Sequence, residues 1–178
     1  MLARFDPFLK SWRWPALALA AALAMLATAH AFERFAFMAP CPLCLRQREV
    51  YWAIATMAAT GLVLWRIRQN PRFLMALNVM LGLVFLTGTV VATFHAGVEW
   101  RWWPAPEGCV GEVVVDVTNV DLTDLDARQA VASCLDAPWI FLGLSMAGWN
   151  ALVSLGLMAI SFRAAGIALP RPRFGSEF

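Results

Sequence analysis

FLMALNVMLGLVFLTGTVVATF, residues 73–94, decides the fold. It holds no Asp, Glu, Lys or Arg. As a helix it is long enough to cross a hydrocarbon core about 30 Å thick, which takes roughly 20 residues. Lipid offers no partner for unpaired backbone groups, so a stretch of this kind spans as a helix. Working outward, residues 14–32, 50–65 and 139–162 have the same character. The second is short and is extended back to residue 46. Composition agrees, with 61% of the 178 residues hydrophobic against ~45–50% in soluble domains. Nine Trp against one Tyr suit a protein with two membrane interfaces, where Trp concentrates. The expectation is an all-α membrane protein of one integral domain, 1–178. It is a four-transmembrane-helix bundle with external loops at 33–45 and 95–138. The partners expected on this ground are the lipid bilayer and no nucleic acid. The first span follows Arg4, Lys10 and Arg13 like a signal peptide, but its length and the three spans after it argue for a retained helix.

Charge orients the bundle. Arg4, Lys10 and Arg13 precede the first span; Arg66, Arg68 and Arg72 lie between the second and third; Arg163, Arg171 and Arg173 follow the fourth. A four-span topology puts these nine of the 14 basic residues on one side, the cytoplasmic one by the positive-inside rule. The loop 95–138 instead carries eight acids (Glu99, Glu107, Glu112, Asp116, Asp121, Asp124, Asp126, Asp136) against Arg101 and Arg128. Within it, residues 113–117 read as extended and 125–133 as a short interfacial helix. Residues 175–178 read as a frayed end or a cloning remnant. All four cysteines then face outward, Cys41 and Cys44 in the first external loop, Cys109 and Cys134 in the second. In a bacterium that side is the periplasm, where disulfides persist.

Pro40-Cys41-Pro42-Leu43-Cys44 opens the second span. A Cys-x-x-Cys sets two sulfurs within bridging reach over one turn and can favour the thiolate. The helix N-terminus near Cys44 stabilises an anion, and Pro42 suits a first helical position. Arg48 follows Cys44 at i+4 on the same helix face. Two bland readings compete: an inert disulfide, or zinc held by cysteines with His30 and His95. Against zinc, Cys109 and Cys134 do not form a second Cys-x-x-Cys. Arg48 has its own bland reading as an interfacial arginine reaching for water. Cys109 and Cys134 lie where a soluble partner can reach them, so two dithiols on one face suggest a relay by thiol–disulfide exchange.

Elsewhere, His30 and His95 end their spans and read as interfacial caps, with proton transfer as the sharper role. Trp100, Trp102, Trp103 and Trp139 read as belt residues. Asn150 is expected to bond another helix, and Gly82, Gly88, Gly143 and Gly148 to permit close helix packing.

Taken together, Cys41-Pro-Leu-Cys44 with Arg48, His95-Ala-Gly-Val-Glu-Trp100, the Cys109–Cys134 loop and Pro138-Trp-Ile-Phe-Leu-Gly-Leu-Ser-Met-Ala-Gly-Trp149-Asn150 resemble the disulfide bond formation protein B family (DsbB). The resemblance covers nearly the whole chain in order. It implies an inner-membrane thiol:quinone oxidoreductase that reoxidises a periplasmic thioredoxin-fold partner, DsbA, and reduces ubiquinone or menaquinone. The DsbA–DsbB–quinone route is what keeps the bacterial periplasm oxidising. By this resemblance Cys109 forms the mixed disulfide with the partner. Cys134 pairs with Cys109 at rest and exchanges with Cys41 during turnover. Cys44 is the thiolate beside the quinone, with Arg48 and His95 contributing to its site and one of the belt tryptophans possible at its border. No metal is expected. A DsbA-like couple near −120 mV is about 60 mV above a couple near −180 mV, so a dithiol oxidant of the latter kind would face about 2.8 kcal/mol uphill. A quinone removes that barrier. Two rivals remain: a reductant transporter, which would expect cysteines inside the spans or reachable from the cytoplasm, and a structural or zinc-binding membrane protein.

Overall fold

The computed structural model describes residues 6–109 and 132–168. A short helix α1 (Asp6–Leu9) leads into α2 (Arg13–Phe35), followed by α3 (Pro42–Ile67), α4 (Pro71–Glu99), a two-stranded hairpin β1 (Ile140–Phe141) and β2 (Leu144–Ser145), and α5 (Met146–Ala168). The four long helices are each long and apolar enough to cross a membrane. Residues 113–117, most of 125–133, and 175–178 lie outside the described residues.

Local chemistry sets where the helices start. Cys41 caps α3, its sulfur accepting from the Cys44 backbone N–H at 3.2 Å, and Pro42 follows at the first helical position. Asn70 caps α4 in the same way, with Oδ1 2.9 Å from the Arg72 nitrogen and Pro71 next. Ser145 Oγ accepts from the Gly148 N–H at 3.1 Å and so caps α5. In each case an oxygen or sulfur takes one of the amide protons that a helix start leaves unpaired, and proline costs nothing where no partner was available.

Three expectations are corrected here. The fourth helix starts at Met146, not at residue 139. Leu142 and Gly143 both take positive φ, 51° and 80°, which is the turn a two-residue hairpin requires. Gly143 is therefore a turn glycine with nothing packed over it, and does not serve helix packing. Likewise α4 runs on to Glu99, so His95 sits inside the helix and does not end it.

The core is a seam of small against large residues. Ala18, Ala22 and Leu26 of α2 meet Tyr51, Ile54, Ala55 and Ala58 of α3 and Leu77, Leu81 and Phe85 of α4. Alanines at i and i+4 let the backbones approach, which is how helices associate without a hydrophobic drive between them. Helices α4 and α5 share the most extensive interface; Gly82 there lies against the Phe162 ring. At one end of the bundle Arg163 pairs with Asp6 at 2.8 Å and Arg66 lies over the Trp12 ring. The cysteines gather at the other end.

Candidate functional site at the cysteine end

Three segments deliver the four sulfurs to one place. Cys41 and Cys44 come from the start of α3. Cys109 and Cys134 flank the long loop and are joined to each other by a disulfide. Cys41, Cys109 and Cys134 are buried together with Val98 of α4, and Leu43, Cys44 and Trp103 pack against them. Cys41 and Cys44 are free thiols with sulfurs 2.9 Å apart. Most telling, Cys41 Sγ, Cys134 Sγ and a ring nitrogen of His95 all lie within 4.8 Å of one another. Sulfurs of the two different pairs therefore meet.

The two free thiols differ. Cys41 is almost fully buried and donates to Cys44, while Cys44 is half-buried. The hydrogen bond to Cys44 and burial push the Cys41 thiol well above the ordinary thiol range. Cys44 also opens onto a cavity of about 410 Å³. Met25, Leu26 and Phe32 give that cavity apolar walls, and Arg48 and His95 give it polar groups.

Arg48 is held by α2. Its Nη1 lies 2.5 Å from Glu33 Oε2 and its Nη2 donates to the Ala29 carbonyl at 3.2 Å. Its side chain is only 14% exposed, so it is a fixed cation at the cavity wall rather than one reaching for water. Glu33 was not anticipated from sequence; an acid closing a span just before the Cys-x-x-Cys was the available signal. His95 contacts Cys41 at 3.5 Å through Nε2 and Gln47 at 2.7 Å through Nδ1. Gln47 is bonded in turn by Asn150, and Asn150 by Tyr51. Asn150 thus bonds another helix as expected. Gln47 and Tyr51 were missed, although the chain's single tyrosine inside an apolar span marked its own position. Glu99 was also passed over as one acid among eight. Its side chain is only 5% exposed, accepts from the Ser145 hydroxyl, and lies 3.8 Å from His95 Nε2.

His30 is not part of this cluster; its Nδ1 donates to the Leu26 carbonyl at 2.8 Å. The zinc set drawn from sequence is therefore not assembled as such. Cys41, His95 and Cys134 do converge, but the Cys134 sulfur is engaged in a disulfide and is no thiolate ligand in this form. Among the belt candidates, Trp139 packs on Phe32, a cavity wall residue, at 5.7 Å. Trp103 stacks on Phe94 and donates to its carbonyl at 2.9 Å; Trp100 and Trp102 remain exposed.

Comparison with known proteins agrees with this arrangement. The profile of the family described as disulfide bond formation protein DsbB matches residues 11–164. Disulfide bond formation protein B of Methylococcus capsulatus is 32% identical over 142 residues, covering 78% of this chain and 84% of the relative. The protein of that name from Alkalilimnicola ehrlichii is 31% identical over 155 residues, 84% and 93% of the two chains. That of Paracidovorax citrulli is 27% identical over 164 residues, 90% and 89%. With four helices fit to cross a membrane and two cysteine pairs at one end, this chain belongs to the DsbB family of multi-pass membrane proteins that act in disulfide bond formation.

Proposed function

We propose that the chain is a thiol:quinone oxidoreductase of the bacterial inner membrane. Its termini are cytoplasmic and its cysteine end is periplasmic, a reading the distribution of basic residues supports. The whole chain acts as one membrane domain. Electrons enter from a DsbA-like dithiol at Cys109 and Cys134, pass to Cys41 and Cys44, and leave to ubiquinone or menaquinone from the membrane pool.

The observation that carries this reading is the convergence of two pairs with different exits. Cys41 and Cys134 lie within 4.8 Å, close enough for exchange after a small shift. Cys109 lies at the margin of the long loop, and Cys44 faces the cavity. A quinone head is a flat apolar ring with two carbonyl oxygens. The cavity's apolar walls suit the ring, and the Arg48 guanidinium suits an oxygen, so the residues present fit the group. The quinone supplies a two-electron, two-proton acceptor. The protein's own part is to seat it beside Cys44, to hold a cation beside it through the Glu33–Arg48 pair, and to keep Cys41 protonated while Cys44 is the reactive sulfur.

The test is to mix the purified protein with reduced partner and excess quinone and follow quinone absorbance, with Cys44→Ser alongside. Reduction by the native chain and none by the variant is expected; normal turnover by Cys44→Ser refutes the pathway. Because Cys41, His95 and Cys134 converge, a zinc-binding reading has its own measurement. Stoichiometric zinc in the purified protein, with no quinone reduction, would establish it instead.

A further inference from the structure

A buried polar chain runs from the cysteine cluster down between α3, α4 and α5, and its direction is fixed by which atoms face each other. Tyr51 Oη donates to Asn150 Oδ1. Asn150 Nδ2 donates to Gln47 Oε1. Gln47 Nε2 donates to His95 Nδ1 at 2.7 Å. Ser154 Oγ closes the lower end, 2.9 Å from Tyr51 Oη and 3.4 Å from Asn150 Oδ1. Gln47, Tyr51, His95, Asn150 and Ser154 are all buried. Burial matters because an unpaired polar group here would cost its full desolvation, so each amide holds its neighbour's orientation.

With the Gln47 amide nitrogen placed against His95 Nδ1, that nitrogen donates and Nδ1 accepts, which assigns the ring proton to Nε2. That N–H faces Cys41 Sγ at 3.5 Å. Glu99 Oε1, at 3.8 Å, is further off and has its other oxygen engaged by Ser145. Resting on the relay proposed above, we infer that Gln47, Asn150, Tyr51 and Ser154 are positioning residues: they lock His95 in the Nε2–H tautomer so that it donates a hydrogen bond to Cys41 as that sulfur leaves the mixed disulfide with Cys134.

The step balances. Cys109 thiolate attacks Cys134, the Cys109–Cys134 bond forms, and the Cys134–Cys41 bond breaks with its electron pair leaving on Cys41. One thiolate enters and one departs, and no electron is gained or lost. The structure has the bonding of the product side: Cys109 joined to Cys134, Cys41 free, and the imidazole still on Cys41. A donor aimed at a departing thiolate strengthens as charge develops, the condition under which a hydrogen bond accelerates a step.

The chain has two histidines, so ¹⁵N-histidine NMR of the protein in lipid nanodiscs, with His30→Gln for assignment, reads the tautomer directly. A protonated Nε2 and a bare Nδ1 on His95 are expected; a protonated Nδ1 overturns the inference. Gln47→Glu places an acceptor-only carboxylate against Nδ1 and should invert the tautomer, which loss of packing alone would not do. In the same variant, acid-quenched turnover with reduced partner should show resolution of the Cys41–Cys134 species slowed roughly tenfold, the size expected for losing one hydrogen bond to a charged group. An inverted tautomer with an unchanged rate overturns the role assigned to His95. If native protein shows the Nε2–H tautomer but never forms a Cys41–Cys134 species, the relay itself is refuted, and the role of His95 in it.

Discussion

The two cysteine pairs obey opposite rules. Cys109 and Cys134 come from loop segments, are bonded to each other, and are 1% exposed apiece. Cys41 and Cys44 come from one helix turn, are unbonded, and differ in exposure. The loop pair is held by packing on Val98 and by the Cys134 N–H on the Cys109 carbonyl at 3.0 Å. The helix pair is held by capping and by the polar chain. Burial therefore does not separate the bonded sulfurs from the free ones, since Cys41 is nearly as buried as the loop pair. What matters is what each sulfur opens onto: for Cys44 the cavity, for Cys41 the other pair.

The comparison breaks most sharply if the loop pair is removed. Cys134→Ser should lower oxidation of a protein dithiol roughly a thousandfold or more, as loss of a covalent-step nucleophile does. A small dithiol that enters the cavity should still drive quinone reduction through Cys41 and Cys44. If both activities vanish together in absorbance assays, the division of labour is wrong. Next, brief alkylation of the free pair near neutral pH, read by mass spectrometry, should label Cys44 at least about tenfold ahead of Cys41, because the thiolate is the nucleophile. Since the Cys41 thiol is raised, its thiolate appears only as pH climbs, so the gap should narrow in alkali. Equal labelling at neutral pH would erase the distinction between the two sulfurs.

Arg48→Met should raise the quinone KM about tenfold, and Glu33→Gln by less, as befits a lost charge-assisted contact and a loosened one. Exchange between Cys41 and Cys134, followed by trapping, should be unaffected in both. The smallest effect concerns the floor of the loop pair. A Cβ on Gly97 would fall 2.0 Å from Trp103 Cζ2, so Gly97→Ala should cost about 1–3 kcal/mol. That corresponds to a fall in melting temperature of about 5 °C. Gly156→Ala, where nothing lies within 4 Å, should leave melting nearly unchanged. Equal melting of the two variants would show that Trp103 does not brace the loop pair.

The long helices were legible because lipid imposes one rule everywhere: apolar length without charge. Their ends were less so, being decided by single atoms. No hydropathy scale separates residues 139–145 from the helix that follows, since Ile140, Phe141 and Leu142 are as apolar as a span; the turn at Leu142 and Gly143 and the cap at Ser145 make the difference. The cysteines, Arg48 and His95 could be named from spacing and resemblance. The network behind them could not, because Gln47, His95 and Asn150 are remote in sequence and meet only when three helices pack. Asn78 shows why polarity inside a span is a poor guide. It is fully buried in α4, yet neither of its amide atoms has a partner among the described residues.

The polar chain bonds α3 to α4 directly, Gln47 to His95, but the Gln47 amide is held by Asn150 of α5, which follows both helices in the chain. Until that helix docks, Gln47 has no Asn150 to orient its amide against His95. A partly inserted chain would already carry its Cys-x-x-Cys, but without the oriented imidazole proposed to assist sulfur exchange. On the proposed relay, competence for sulfur exchange therefore depends on a helix that carries none of the four cysteines.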